Sequence, residues 1–390
     1  MKRFLSFLML AAPAATIFAA LPQEGSGETN GYKLVWQDLF DSGELNPLRW
    51  HIEVNGDGGG NNELQYYTEN NVRVGDDGDG NGCLILTARR ENYKNKSFTS
   101  GRLNSSNFVT FTHGKVEASI KFPSTANGLW PAFWMMGNDY SSVGWPRCGE
   151  TDFIEMGNSN GIARGTQDRY FNGACHWGQG WPAASYALDT TRPYSMQDGE
   201  YHLITCIWDT KEIRMYADLD KYPSQSPYYI IDISNVDPSD EWCAGNYFHK
   251  DNFLIFNLAI GGDFTGIHDP AKITAFNDAN GQEASMYINY VKIYQKGTPD
   301  ETLFAAVDGD TESPVLPDDP SIGDEPENPD DPTGAVENLT ADLQPVPVVV
   351  FNAGGLIVAK GISAENLLNS LPAGVYIVKE GSATKKIIKR

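Results

Sequence analysis

Between Tyr32 and Gln295 the chain alternates apolar and polar residues in short runs, among them Leu84-Ile85-Leu86-Thr87-Ala88 and Lys115-Val116-Glu117-Ala118-Ser119-Ile120-Lys121-Phe122. Such runs are those of short strands. Turn-forming stretches separate them, for example Asp76-Asp77-Gly78-Asp79-Gly80-Asn81-Gly82. Many short strands with regular turns predict an all-β sandwich or barrel. Composition agrees: 39 Gly, 18 Tyr and 18 Phe in 390 residues, with no long stretch of Ala, Leu, Glu and Lys, suit strands and turns rather than helices.

The pattern changes at both ends. Met1-Lys2-Arg3 followed by an apolar stretch from Phe4 to Ala20 predicts a secretory signal over residues 1–20, too short and too interrupted by Pro13 for a membrane span. Residues 30–297 make up the main domain. From Thr298 to Pro345 there are 14 acidic residues and no basic one, with repeats such as Pro317-Asp318-Asp319-Pro320, which predicts a self-repelling, disordered linker over 298–345. Residues 346–390 return to strand-like runs at Val346 to Phe351, Leu356 to Ala359 and Gly374 to Lys379, a small C-terminal β module with a basic end.

The net charge of −22 is therefore unevenly spread, yet the main domain is itself acidic. An acidic body argues against nucleic acid as a partner. Cys83, Cys148, Cys175, Cys206 and Cys243 are an odd set without a CxxC pair, so they predict neither a zinc site nor a complete disulfide framework. Most read as small buried residues, with one disulfide left open in an exported chain. A monomer is expected.

The candidate chemistry lies in Glu150-Thr151-Asp152-Phe153-Ile154-Glu155, which follows the aromatic run Gly128-Leu129-Trp130-Pro131-Ala132-Phe133-Trp134-Met135-Met136-Gly137. Cleaving a glycosidic bond takes one carboxylic acid to protonate the leaving oxygen and a second carboxylate to attack or stabilise the sugar cation. On a regular strand Glu150 and Asp152 share a face, whereas Glu155, at an odd offset, points the other way. A β-bulge near Phe153 or Ile154 would bring all three acids to one cleft and leave the two apolar side chains to seal the sheet beneath. Crowded carboxylates would then share protons. The expected roles are Glu150 as nucleophile, Glu155 as general acid and then base, and Asp152 as the neighbour that tunes Glu150. Carboxyl groups so close, about 5 to 5.5 Å apart, would suit a retaining double displacement.

The acidic motif and the preceding Gly-x-Trp-Pro-Ala-Phe-Trp-Met pattern resemble the catalytic signature of glycoside hydrolase family 16. In order along the chain, Leu34-Val35-Trp36-Gln37-Asp38, Asn61-Asn62-Glu63-Leu64-Gln65-Tyr66-Tyr67-Thr68, Thr99-Ser100-Gly101-Arg102-Leu103, Cys175-His176-Trp177, Phe256-Asn257-Leu258-Ala259-Ile260-Gly261-Gly262 and Ile288-Asn289-Tyr290-Val291-Lys292-Ile293-Tyr294 also resemble family landmarks. The resemblance implies a β-jelly roll of two curved antiparallel sheets, an open cleft and endo cleavage of β-glucan, with laminarin-type β-1,3 linkages as the expected target. It implies that Asn62 and Arg102 bind sugar hydroxyls on the non-reducing side. Trp130 and Trp134 would shape the subsites next to the cut, and His176 would stand beside Glu155. No cofactor is required. A structural calcium is common in the family, but Leu39 and Asn289 stand where carboxylates usually do, which leaves at most a neutral site using the Asn289 oxygen.

Mixed-linkage β-1,3/1,4-glucan is the alternative substrate, and transglycosylation an alternative outcome on the same fold. A lectin-like, non-catalytic glucan binder is the rival from another class, although such a protein has no need of all three acids. The C-terminal Leu371-Pro372-Ala373-Gly374-Val375-Tyr376-Ile377-Val378 run resembles sorting domains of bacterial type IX secretion. This likeness implies export machinery as a partner and a secreted or cell-surface location in a bacterium.

Overall fold

A computed structural model describes residues 31–276 and 282–306, and the backbone pairing of 348–352, 357–361, 374–380 and 383–389. The expected signal over 1–20 and most of the expected linker lie outside these residues. No helix among them is long and apolar enough to cross a membrane.

Alternation along the chain becomes two large sheets, and the all-β sandwich expected from the sequence is what forms. A ten-stranded sheet runs from Tyr229–Asp232 through Glu212–Ala217, His202–Trp208, Gly114–Lys121, Glu283–Gln295, Gly82–Arg89 and Phe98–Ser100 to Gln65–Tyr67. Lys33–Asp38 pairs with Glu283–Gln295, and Val72–Asp76 pairs with Gly82–Arg89 across the predicted Asp76 to Gly82 turn. The nine-stranded sheet runs Ala184–Thr191, Tyr170–Trp177, Glu150–Met156, Leu129–Gly137, Asn252–Ile260, Arg102–Asn104 and His51–Ile52, with Val109–Thr112 and Thr302–Ala305 added at its side. Among the described residues, pairing is antiparallel apart from Gln65–Tyr67 with Phe98–Ser100.

One core cluster includes residues of both sheets, among them Leu84, Ile120, Ile204, Met286 and Ile288 from the first and Phe133, Phe153, Ile154, Phe171 and Phe256 from the second. Phe133 stacks on Phe256 at 4.3 Å between ring centroids and meets Phe153 edge-on at 4.8 Å. Burying each such ring contributes about 1.5 to 3 kcal/mol. All five cysteines are buried and free.

The boundary expected after residue 297 needs correction. Thr302–Ala305 pairs with Val109–Thr112 as a further strand of the nine-stranded sheet. Acidic composition predicts solvation over the whole 298–345 stretch, but the short apolar run Leu303-Phe304-Ala305-Ala306 has a strand edge to pair with. In the C-terminal module the strands Val348–Asn352, Ile357–Gly361 and Gly374–Glu380 correspond to the three expected runs. A fourth, Ala383–Lys389, forms from the basic end, giving the order Ile357–Gly361, Val348–Asn352, Gly374–Glu380, Ala383–Lys389.

Candidate active site

The Glu150–Met156 strand lies between Leu129–Gly137 and Tyr170–Trp177, and its register against both slips where the sequence requires it. Against the first, Ile154 faces Phe133 while Asp152 faces Trp134, leaving Phe153 without an opposite number. Against the second, Asp152 faces Ala174 and Glu155 faces Asn172, so two residues oppose the single Gly173. The extra residue is a bulge, and it restores Glu155 to the face that carries Glu150 and Asp152. Phe153, Ile154 and Met156 turn into the core. The Phe153 carbonyl, displaced by the bulge, accepts a hydrogen bond from the Tyr228 hydroxyl. Gly157 then turns the chain with φ +95°, where a Cβ would lie 2.0 Å from the Leu129 carbonyl oxygen.

Each acid has a distinct setting. Glu155 accepts hydrogen bonds from Trp130 Nε1 at 3.0 Å and Asn172 Nδ2 at 2.9 Å. Burial raises its proton affinity, while those two donors and the nearby His176 oppose the rise. Burial, and then the Glu155 charge, push Asp152 well above the carboxylate range. Glu150 is pushed up to about 8, first by burial and then by Asp152, with His176 pulling the other way. All three carboxyls thus bind their protons more tightly than a free carboxyl does, and they titrate as a linked set.

His176 stands opposite Glu150 in register, with Nε2 3.4 Å from Asp152 Oδ2 and 3.9 Å from Glu150 Oε1. It also lies near enough to Glu155 to lower that group's proton affinity, although its nearest carboxylates are the other two. Oxygens of Glu150 and Asp152 and a ring nitrogen of His176 lie within 4.8 Å of one another, close enough to ligate an added cation.

On the other side, Trp134 Nε1 donates to Asn257 Oδ1 at 2.7 Å, and the Arg102 guanidinium lies 5.0 Å from the Trp134 ring. Arg102 also pairs with Glu53 at 2.8 Å, an anchor that fixes its direction. Trp130 is less open than expected. Its indole is 8% exposed and stacks on Phe264 at 4.5 Å, so its principal contact with the chemistry is the bond to Glu155. Asn62 is exposed, has φ +56°, and donates to both Asp263 carboxylate oxygens at 3.1 and 3.2 Å, next along the chain to Phe264.

Sequence reasoning missed Asn172, Asn257 and Glu53. The first was within reach, because Asn172, Ala174 and His176 share one face of a strand at period two. Glu53 had no comparable signal, since only folding brings it to Arg102.

Residues at the position implied for a calcium have protein partners. Asn289 Nδ2 donates to the Gly82 carbonyl at 3.1 Å, and Asp38 is taken up by Trp50 Nε1 at 2.9 Å, the Phe40 amide at 3.1 Å and Arg49 at 3.4 Å. An open cavity of about 690 Å³, bordered by Gln179, Asp240 and Trp242, has none of the three acids in its lining.

A buried, proton-sharing set of carboxylates on the outer face of a two-sheet jelly roll, with indole and amide donors on one of them, defines a glycoside hydrolase. Comparison with known proteins agrees. Residues 32–147 match the family model described as beta-glucan synthesis-associated protein SKN1/KRE6/Sbg1. A beta-glucanase of Rhodothermus marinus is 32% identical over 284 residues, covering 70% of this chain and 89% of that protein. A glycoside hydrolase family 16 mixed linkage glucan enzyme of Bacteroides ovatus, solved with a product, is 39% identical with a TM-score of 0.58, over 66% of this chain and 99% of that one. The laminarinase catalytic domain of Thermotoga maritima is 30% identical with a TM-score of 0.55, over 68% and 98%. This chain spans only 34% of the clotting factor G alpha subunit of Tachypleus tridentatus and 38% of glucan endo-1,3-beta-glucosidase A1 of Niallia circulans. The chain belongs to glycoside hydrolase family 16.

Proposed function

We propose that the protein is a retaining endo-β-glucanase that hydrolyses internal β-1,3 linkages of laminarin-type glucans. The observation that carries this reading is the bulge that turns Glu155 to the side of Glu150 and Asp152. In the first step a Glu150 carboxylate oxygen attacks the anomeric carbon while Glu155 gives its proton to the glycosidic oxygen, and the carbon–oxygen bond to the leaving chain breaks. In the second, Glu155 removes a proton from water, whose oxygen attacks the anomeric carbon and frees Glu150. Asp152 keeps its proton beside Glu150. With that neighbour neutral, the Asp152 contribution to Glu150's raised affinity is lost, which favours the ionised nucleophile against the burial that remains its largest cause.

Arg102 and Asn62 hold the non-reducing part of the chain, with Trp134 beside the cut. Trp130, Asn172 and His176 set the charge state of the acids. A second reading, mixed-linkage β-1,3/1,4-glucan, is favoured by the Bacteroides ovatus enzyme, the relative of higher identity among the solved structures compared above. We also propose export, from the residue 1–20 pattern and the sorting-domain likeness of residues 346–390, and action without a cofactor.

The test is to assay laminarin, barley-type mixed-linkage glucan, agarose and cellulose side by side. Cleavage of laminarin ahead of the others is expected, whereas a preference for the mixed-linkage polymer would move the assignment to the second reading and cleavage of agarose alone would refute both. Glu150→Gln should retain glucan affinity and lose hydrolysis by about a thousandfold or more, a size in keeping with loss of a covalent nucleophile. Undiminished turnover would remove Glu150 from its role.

A further inference from the structure

Two exposed indoles extend the site on the side of the acids away from Trp134. In the nine-stranded sheet, Trp134, Asn257 and Arg102 stand on strands to one side of Glu150–Met156, and His176 stands on the other. The Trp145 ring lies 6.4 Å from the His176 ring, and the Trp181 ring lies 6.0 Å from Trp145, tilted by 35°. Both are open to solvent, Trp145 by 38% and Trp181 by 84%. An indole left that bare forgoes the free energy of covering a large apolar ring, and a face of this kind is suited to a partner with an apolar side and a polar rim.

The loops that carry the rings are joined. Arg147 Nε donates to the Gln179 carbonyl at 2.6 Å, tying the loop before Glu150 to the one after Trp177. Lys250 Nζ in turn donates to the Arg147 carbonyl at 3.0 Å and to Asp139 Oδ2 at 2.7 Å. The two rings therefore have a common support, with Trp145 beside His176 and Trp181 beside Trp145.

We propose that Trp145 and Trp181 form a stacking track for the glucosyl units of the leaving chain, Trp145 for the nearer and Trp181 for the farther. This rests on the functional reading above, including its placement of the non-reducing part beside Arg102. With that part there, the leaving part crosses the His176 side, where the two indole faces meet the apolar faces of the sugars. An acceptor sugar returning to the glycosyl-enzyme would use the same track.

The test is cleavage-pattern mapping with β-1,3-glucan oligosaccharides labelled at the reducing end, comparing the unmodified protein with Trp181→Ala, Trp145→Ala and Trp181→Phe. For Trp181→Ala, cuts that leave two or more units on the labelled side should fall about tenfold relative to cuts that leave one, equivalent to about 1.4 kcal/mol of lost binding. Trp181→Phe should recover most of that ratio, and Trp145→Ala should lower binding of the first leaving unit as well. An unchanged pattern, or a shift confined to the non-reducing side, would overturn the track while leaving the enzyme's activity assigned. Failure of the unmodified protein to cut any β-glucan would instead overturn the functional reading, and the track with it. Melting temperatures close to that of the unmodified protein are expected for the Trp181 variants, because the ring has few neighbours to lose.

Discussion

At the scale of single residues the site is a problem of keeping protons in the right places. Asn172 donates to Glu155 and lowers its proton affinity against the pull of burial. Replacing it in Asn172→Ala removes that donor, so Glu155 should hold its proton to higher pH. The alkaline limb of kcat/KM is expected to move upward and the maximum to fall about tenfold, within the range of general acid–base effects. A profile that kept its alkaline limb would detach Asn172 from the acid.

Glu150 gives a second prediction, on stability. Folded, it binds its proton up to about 8, against an ordinary value of 4.5. A carboxyl that binds a proton more tightly when folded contributes stability that is fully present below 4.5 and is lost as pH rises through about 8. Glu150→Gln has no such proton to lose. Its melting temperature, relative to the unmodified protein, should therefore climb between pH 4.5 and 8 and then level off, which thermal melts across that window would reveal. A difference independent of pH would refute the raised affinity.

At the scale of elements, the bulged strand joins catalysis to the core. Phe153 is fully buried against Phe133, which stacks on Phe256. Phe153→Ala should cost about 3 to 5 kcal/mol by chemical denaturation, a cavity beneath the acids being left partly unfilled. Activity should fall as well, because the bulge loses its footing. An odd spacing between acids is readable in the sequence as a demand for one extra residue, and the bulge meets that demand at Phe153 and Ile154. What sits across from a strand is harder to read. His176 lies within electrostatic reach of Glu155, yet antiparallel register puts it opposite Glu150, and that register depends on a pairing fixed by the whole sheet. Trp130 fits an aromatic platform by composition, yet Phe264, brought in from a distant loop, covers it.

At the scale of the molecule, the end of the catalytic domain is set by pairing rather than composition. Thr302 donates through its hydroxyl to Asp251 at 2.8 Å, its carbonyl accepts from Gln295 Nε2 at 2.8 Å, and Asp300 meets His113 at 2.9 Å. A chain ended after Gly297 forfeits these contacts, while one ended after Ala306 keeps them. The shorter form should melt several degrees lower, since about 1 kcal/mol shifts the midpoint of a domain this large by about 2 to 4 °C. Equal midpoints would return the boundary to 297. Strand content and the ordered landmarks made the jelly roll legible from the chain alone, whereas an acidic stretch concealed its last strand because charge records solvation and says little about an unpaired edge nearby.

Among the described residues, the strand Lys33–Asp38 pairs with Glu283–Gln295 alone, toward the far end of the domain. During synthesis it must therefore wait, without its partner, until nearly the whole domain has emerged from the ribosome. A topology that joins the first strand to the last but one favours slow, late and cooperative folding, and makes the nascent chain a customer for whatever shields unfinished sheets in the cell.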